Sequence, residues 1–215
     1  MKSLAAVLIG LIATLSPAFA ATLTTPVLTD GGCEGIFFDV TAKLPGLAVL
    51  GFQTVFVGTD DVSVYYKAGS YVGSETSSGD WTLLDTDTVV GGSGVIDTLF
   101  DVSAGSGIGI PAAQTYGFLI WAPNHVDPVT KAVRYRIAST DTTENAAIRI
   151  DSGAASCGGA TSDPFDGAIA NRAWRGAVIY GPKPNTVPAT PVWALLLLAG
   201  LLITLVSKRL TGSER

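Results

Sequence analysis

The stretch Gly35-Ile36-Phe37-Phe38-Asp39-Val40-Thr41 decides the fold class. Successive side chains of a β-strand point to opposite faces, so Ile36, Phe38 and Val40 share one face while Phe37 and Asp39 share the other. The same period of two returns in Val62-Ser63-Val64-Tyr65-Tyr66 and in Val133-Arg134-Tyr135-Arg136-Ile137. Further strand candidates are Thr22 to Leu28, Ala48 to Val57, Trp81 to Val89, Val95 to Val102, Thr115 to Trp121, Ala147 to Asp151 and Ala177 to Tyr180. Turn chemistry separates them at Ala68-Gly69-Ser70, Ser77-Ser78-Gly79-Asp80, Gly91-Gly92-Ser93-Gly94 and Gly105-Ser106-Gly107. About ten short strands at this spacing, with no amphipathic helix of three turns between them, predict an all-β, antiparallel β-sandwich, jelly-roll-like.

The two ends of the 215-residue chain read differently. Residues 1–20 carry Lys2, an apolar core from Leu4 to Leu15, the helix breaker Pro17 and the small-x-small triplet Ala18-Phe19-Ala20, which together read as a cleaved signal peptide with the mature chain starting at Ala21. A first transmembrane helix is the alternative. At the other end, Val192 to Val206 is a run of fifteen uncharged residues rich in leucine. As a helix it spans roughly 22 Å, short of a ~30 Å hydrocarbon core. Extension over about 191–207, snorkelling by Lys208 and Arg209 and a locally thin bilayer make up the difference. Thr190 suits an N-cap, Pro191 the first helical position and Trp193 the membrane interface, and the basic pair keeps the end cytoplasmic. A buried core helix is the alternative, but an apolar helix at a terminus has no following chain to cover it.

The order of Val187-Pro188-Ala189-Thr190-Pro191-Val192-Trp193, apolar helix and basic Lys208-Arg209 resembles the IPTL-CTERM protein-sorting domain, a relative of the PEP-CTERM signals of Gram-negative bacteria. Val187 stands for that motif's Ile, Pro188 is its Pro and Trp193 falls at its Trp, whereas Ala189, Thr190 and Pro191 depart from its Thr-Leu-Ser core. Over residues 187–215 the resemblance implies sorting by an exosortase-like membrane protease, and hence an exported protein that is membrane-anchored at least transiently before it reaches the cell surface or the extracellular space. Within the interior, Val62 to Glu75, Trp81-Thr82-Leu83-Leu84 and Ile110 to Phe118 are similar to a repeated pattern of secreted bacterial surface proteins, which implies no activity.

Between the two ends, residues 21–186 make one domain of ordinary size. Removing Lys2, Lys208, Arg209, Arg215 and Glu214 leaves 9 basic against 17 acidic residues, a net charge of −8. With no basic stripe to neutralise phosphates, nucleic acid and anionic lipid are excluded as direct partners of the domain. The two cysteines, Cys33 and Cys157, read as a disulfide in an exported protein; two buried thiols or a metal pair are the alternatives.

Candidate chemistry is sparse. His125 lies in a proline-flanked loop with Asp127 two residues on, and no Gly-x-Ser-x-Gly elbow accompanies it. Gly107-Ile108-Gly109-Ile110-Pro111-Ala112 matches the dinucleotide fingerprint only formally, with a proline where the helix should begin. Asp60-Asp61, Asp85 with Asp87, and Asp163 with Asp166 offer oxygen ligands for Ca²⁺, without the spacing of an EF-hand loop. Tyr65, Tyr71, Trp81, Trp121 and Trp174 offer rings to stack on sugars, although the alternation directs most of them into the core. Two functions follow: a non-catalytic surface or matrix protein that binds polysaccharide, or an extracellular polysaccharide hydrolase with Asp60 and Asp85 as acid and base.

Overall fold

The computed structural model describes residues 20–26, 31–92, 98–123, 132–138, 141–157 and 163–183. The expected signal peptide up to residue 19, His125, Asp127, the expected sorting motif with Val187, Pro188, Trp193, Lys208 and Arg209, and the helix expected over 191–207 lie outside these residues. Among the described residues no helix is long and apolar enough to cross a membrane.

Fourteen strands run along the described chain: β1 (Ala21–Thr24), β2 (Gly31–Cys33), β3 (Gly35–Ala42), β4 (Leu47–Val57), β5 (Thr59–Ala68), β6 (Thr82–Val90), β7 (Leu99–Ile110), β8 (Thr115–Trp121), β9 (Ala132–Ile137), β10 (Asp141–Glu144), β11 (Ile148–Ser156), β12 (Ala168–Ala170), β13 (Arg172–Trp174) and β14 (Gly176–Pro182). They form two antiparallel sheets. The first runs β1-β14-β4-β9-β13, with β2 also on β9 and β7 also on β4; the second runs β10-β11-β3-β8-β5-β6, with β12 also on β11. The predicted sandwich is therefore present.

The core lies between the sheets, and the alternation fills it as expected. Ile36, Phe38 and Val40 of β3, Val62 and Val64 of β5, and Phe118 and Ile120 of β8 face Phe52 and Phe56 of β4, Val133 of β9 and Val178 of β14. At its centre the Trp174 ring lies on Phe38, with centroids 3.9 Å apart and planes within 11°. Its indole N–H donates to the Thr54 hydroxyl at 3.1 Å, which satisfies the ring's one polar group in the interior. Gly176 has to be a glycine, since a Cβ there would fall 2.3 Å from the Trp174 ring and from the Gln53 carbonyl.

Both open sides of the sandwich are closed by side chains. The Ser103 hydroxyl of β7 donates to Asp85 of β6 across one seam. On the other side, the Asn145 side-chain amide donates to the Tyr180 hydroxyl at 2.9 Å and the Trp174 amide to the Ser152 hydroxyl at 3.0 Å.

Some expected boundaries move. Gly105-Ser106-Gly107 is not a turn between strands but a bulge inside β7. Pairing with β4 resumes from Ser103 to Ile108, and Gly105 (φ 56°) and Gly107 (φ 76°) take up the extra residues in left-handed conformations. β11 runs on past Asp151 to Ser156 through a second bulge between Ser152 and Ala154. The short strands β2, β10, β12 and β13 have three or four residues each, too few for periodicity to mark them.

Candidate functional site

Phe37 and Asp39 are the odd members of the alternating β3, and they build the most elaborate surface of the molecule. Both point out of the sandwich on the far face of the second sheet. Cross-strand register makes one row of Phe37, Leu119 and Tyr65 and a parallel row of Asp39, Gly117 and Lys67. Over these rows passes the connection between β5 and β6, a strap from Gly69 to Asp80.

Gly117 is what lets the strap lie down. A Cβ at that position would stand 2.8 Å from the Tyr71 nitrogen and 3.1 Å from its Cα. The Asp39 carboxylate then fixes the strap, accepting the Tyr71 amide at 2.9 Å on one oxygen and the Ser70 hydroxyl at 2.6 Å on the other. Lys67 donates to the Ser70 carbonyl at 2.7 Å, and Gly69 pairs with both Thr115 and Gly117 through its backbone. Left-handed φ angles of 84° at Gly69 and 86° at Gly73 turn the strap at two points. Farther along, the Ser74 hydroxyl donates to Asp80 and the Trp81 indole to the Ser74 carbonyl, both at 2.8 Å.

Beneath the strap lies a second apolar cluster: Phe37, Tyr71, Trp81, Leu119, Trp121, Ala154 and Phe165, with Tyr65 at its margin. Tyr71 stacks on Phe37 at 6.1 Å, and Trp81 meets both Phe37 and Phe165 at 5.6 Å. An apolar residue on the outward face of a strand thus marks a second layer of packing. The segments Val62 to Glu75, Trp81 to Leu84 and Ile110 to Phe118 come together here on β5, β6 and β8.

Burial sets the electrostatics of this surface. It raises the Asp39 carboxyl above its ordinary range; the Ser70 and Tyr71 hydrogen bonds and Lys67 oppose the rise, and Asp151, opposite in register on β11, adds to it. The Tyr71 phenol is pushed up to about 12, first by burial and then by the Asp39 and Glu75 carboxylates. Tyr65 is also raised by burial, against the Ser63 hydroxyl and with a contribution from Asp163.

The other sequence-based candidates scatter. Cys33 and Cys157 do form a disulfide, with Cα atoms 5.1 Å apart, inside the span a relaxed bridge needs. β2 belongs to the first sheet, and the chain crosses to the second at Glu34. Because Gly35 pairs with Ser156, the antiparallel register carries Cys157 to the level of Glu34, one residue from Cys33. Glu34 lies within 4.8 Å of both sulfurs, but these are bonded to each other rather than open to a metal.

Asp60 pairs with Val89 and Asp85 with Val64, which separates the two acids by roughly 13 Å along the β5–β6 ladder. Asp85 is held below the usual carboxylate range by the Ser103 hydroxyl, the opposite of what a general acid requires. Asp163 accepts the Phe165 amide at 2.9 Å in a local turn. Among the described residues, Asp60, Asp61, Asp85, Asp87, Asp163 and Asp166 do not gather into a group of three ligands. The formal dinucleotide match falls on the end of β7 and its turn into β8. A hollow between Leu47, Ile110, Pro111 and Lys183 measures about 210 Å³, smaller than the ~300 to 1,000 Å³ of small-molecule sites.

The rings that could form a sugar platform are mostly buried, as the alternation directs, although three of them lie in the second cluster rather than between the sheets. Trp174 is in the central core, and Tyr71, Trp81 and Trp121 lie in the strapped cluster at no more than 9 % exposure. Only Tyr65 keeps half-open surface. Reading the sequence found these rings but missed Asp39, Ser70 and Gly117, whose signals were a carboxylate beside an outward Phe and a glycine in mid-strand.

No protein-family model and no curated protein matches the chain. Among solved structures, that of infectious bursal disease virus Gx strain is 12% identical over 85% of this chain and 47% of its own, with a TM-score of 0.23. The crystal structure of the infectious bursal disease virus VP2 subviral particle is 10% identical over 76% of this chain and 37% of its own, with a TM-score of 0.16. The chain therefore spans less than half the length of either, and likeness this slight carries no argument.

Proposed function

We propose that the chain is an exported, non-catalytic surface or matrix protein, sorted by its C-terminal tail through an exosortase-like protease, whose β-sandwich binds extracellular polysaccharide. The observation that carries this reading is the Cys33–Cys157 bridge, because such bonds persist in oxidising compartments outside the cytosol. It agrees with the composition of residues 1–20 and 187–215, which specify export and membrane anchoring. We further infer a jelly roll: β1-β14-β4-β7 facing β3-β8-β5-β6 is the order that two folded Greek keys generate, with β9 to β13 inserted before the last strand. Lectin domains use the same scaffold. The separation of Asp60 from Asp85 speaks for a binding protein over a hydrolase built on that pair, whose carboxyls would need to be about 5 to 10 Å apart.

The test is fractionation of a Gram-negative host that expresses either the full chain or a form lacking Val187–Arg215. The full chain is expected in the membrane fraction and the truncated form in the periplasm or medium, both yielding a Cys33–Cys157 peptide on non-reducing digestion. A truncated form that stays membrane-bound, or free thiols in the exported protein, overturns the reading.

A further inference from the structure

The strapped cluster closes over all its rings but one. Tyr65 is half-exposed on the outward face of β5, and its ring is set by the edge of Phe165, with centroids 5.5 Å apart and planes at 77°. Leu83, its partner in register on β6, is 53 % exposed and continues the apolar floor. One rung along the same face, the hydroxyl of exposed Thr86 meets that of buried Ser63 at 2.9 Å, so Thr86 is the member of the pair open to a ligand. On the other flank, exposed Asp163 is held two residues before Phe165, with one oxygen occupied by the Phe165 amide. A carboxylate has about four acceptor sites, so capacity is left for a ligand.

We propose that Tyr65, Leu83, Ser63, Thr86 and Asp163 form a subsite for one residue of a neutral hexose polysaccharide, the apolar face of the sugar on Tyr65 and its hydroxyls on Asp163 and the Ser63–Thr86 pair. An aromatic ring flanked by hydroxyl and carboxylate acceptors matches a molecule that is apolar on its ring faces and hydroxylated at its edge. The glycan has to be neutral, since Asp163 and a domain charge of −8 repel uronic acids and sulfate esters. The subsite rests on the polysaccharide-binding reading above and gives it a location.

The experiment is affinity electrophoresis of the full chain in detergent through gels containing neutral glucan, neutral mannan or anionic alginate. Retardation by a neutral glycan and not by alginate is expected. Tyr65→Ala should weaken it about tenfold and Tyr65→Phe, which keeps the ring, hardly at all. Asp163→Asn, which keeps an oxygen for the Phe165 amide, should also cost about tenfold. Should Tyr65→Ala fail to fold by near-ultraviolet circular dichroism, Asp163→Asn and Leu83→Ser decide alone. Neutral-glycan binding that none of these variants alters overturns the subsite and leaves polysaccharide binding standing. No retardation by either neutral glycan overturns both, and retardation by alginate alone overturns the subsite's chemistry.

Discussion

Gly117 of β8 lies directly under the backbone of Tyr71, so close that a Cβ on the glycine would stand 2.8 Å from the tyrosine nitrogen. The strap can therefore follow the sheet only while position 117 has no side chain. Gly117→Ala should lift it, at about 1 to 3 kcal/mol of stability, the range for overpacking. Limited proteolysis should then cut within Gly69–Asp80. Unchanged urea stability together with an intact strap would show that the contact is not constraining.

Asp39 supplies a test in the acid range. Its carboxyl is raised in the folded protein, with burial the largest cause. The folded state thus holds this proton more tightly than the unfolded chain, whose value is near 3.8. Asp39 contributes stability that is fully present below that value and lost as pH rises through the folded one. Asp39→Asn removes the titration while keeping an acceptor for the Tyr71 amide. In thermal melts, the stability of the wild type relative to the variant should rise as pH falls through this window; a falling difference sinks the assignment.

For the disulfide, 124 residues separate the cysteines. Closing so long a loop stabilises the fold by roughly 4 to 5 kcal/mol in the chain-entropy model. Cys157→Ser should lower the thermal midpoint of the oxidised protein by several degrees, and reductant should bring the wild type down to the variant without affecting the variant further. A variant that melts with the oxidised wild type contradicts the expectation.

Trp174 fills the centre between Phe38, Phe52 and Thr54. Trp174→Ala should cost about 3 to 5 kcal/mol, since it leaves a large cavity. Thr54→Val deprives the indole N–H of its acceptor and should cost about 1 to 3 kcal/mol at nearly constant volume. Equilibrium urea unfolding measures both; a loss under 1 kcal/mol for Trp174→Ala, far below that range, would mean the ring is not central to the core.

The sequence by itself determined the local half of this fold. In Gly35–Ala42, Thr59–Ala68 and Thr115–Trp121 the period of two is a consequence of backbone pleating, so it states which side chains share a face before any partner is known. The cysteine pair was legible too, because an even count in a chain read as exported leaves few alternatives. What only the tertiary structure decided was which strand pairs with which, and therefore what covers each face. Trp174 and Trp81 look alike in the sequence, yet one meets Phe38 and Phe52 in the centre and the other meets Phe37 and Phe165 under the strap, because these neighbours are distant along the chain. Gly105 and Gly107 read as a turn and became a bulge because β4 continued to supply hydrogen bonds on both sides of them. For Asp39 the alternation gave only a face shared with Phe37, and it was the return of Ser70 and Tyr71 over Gly117, a contact more than thirty residues away, that buried it.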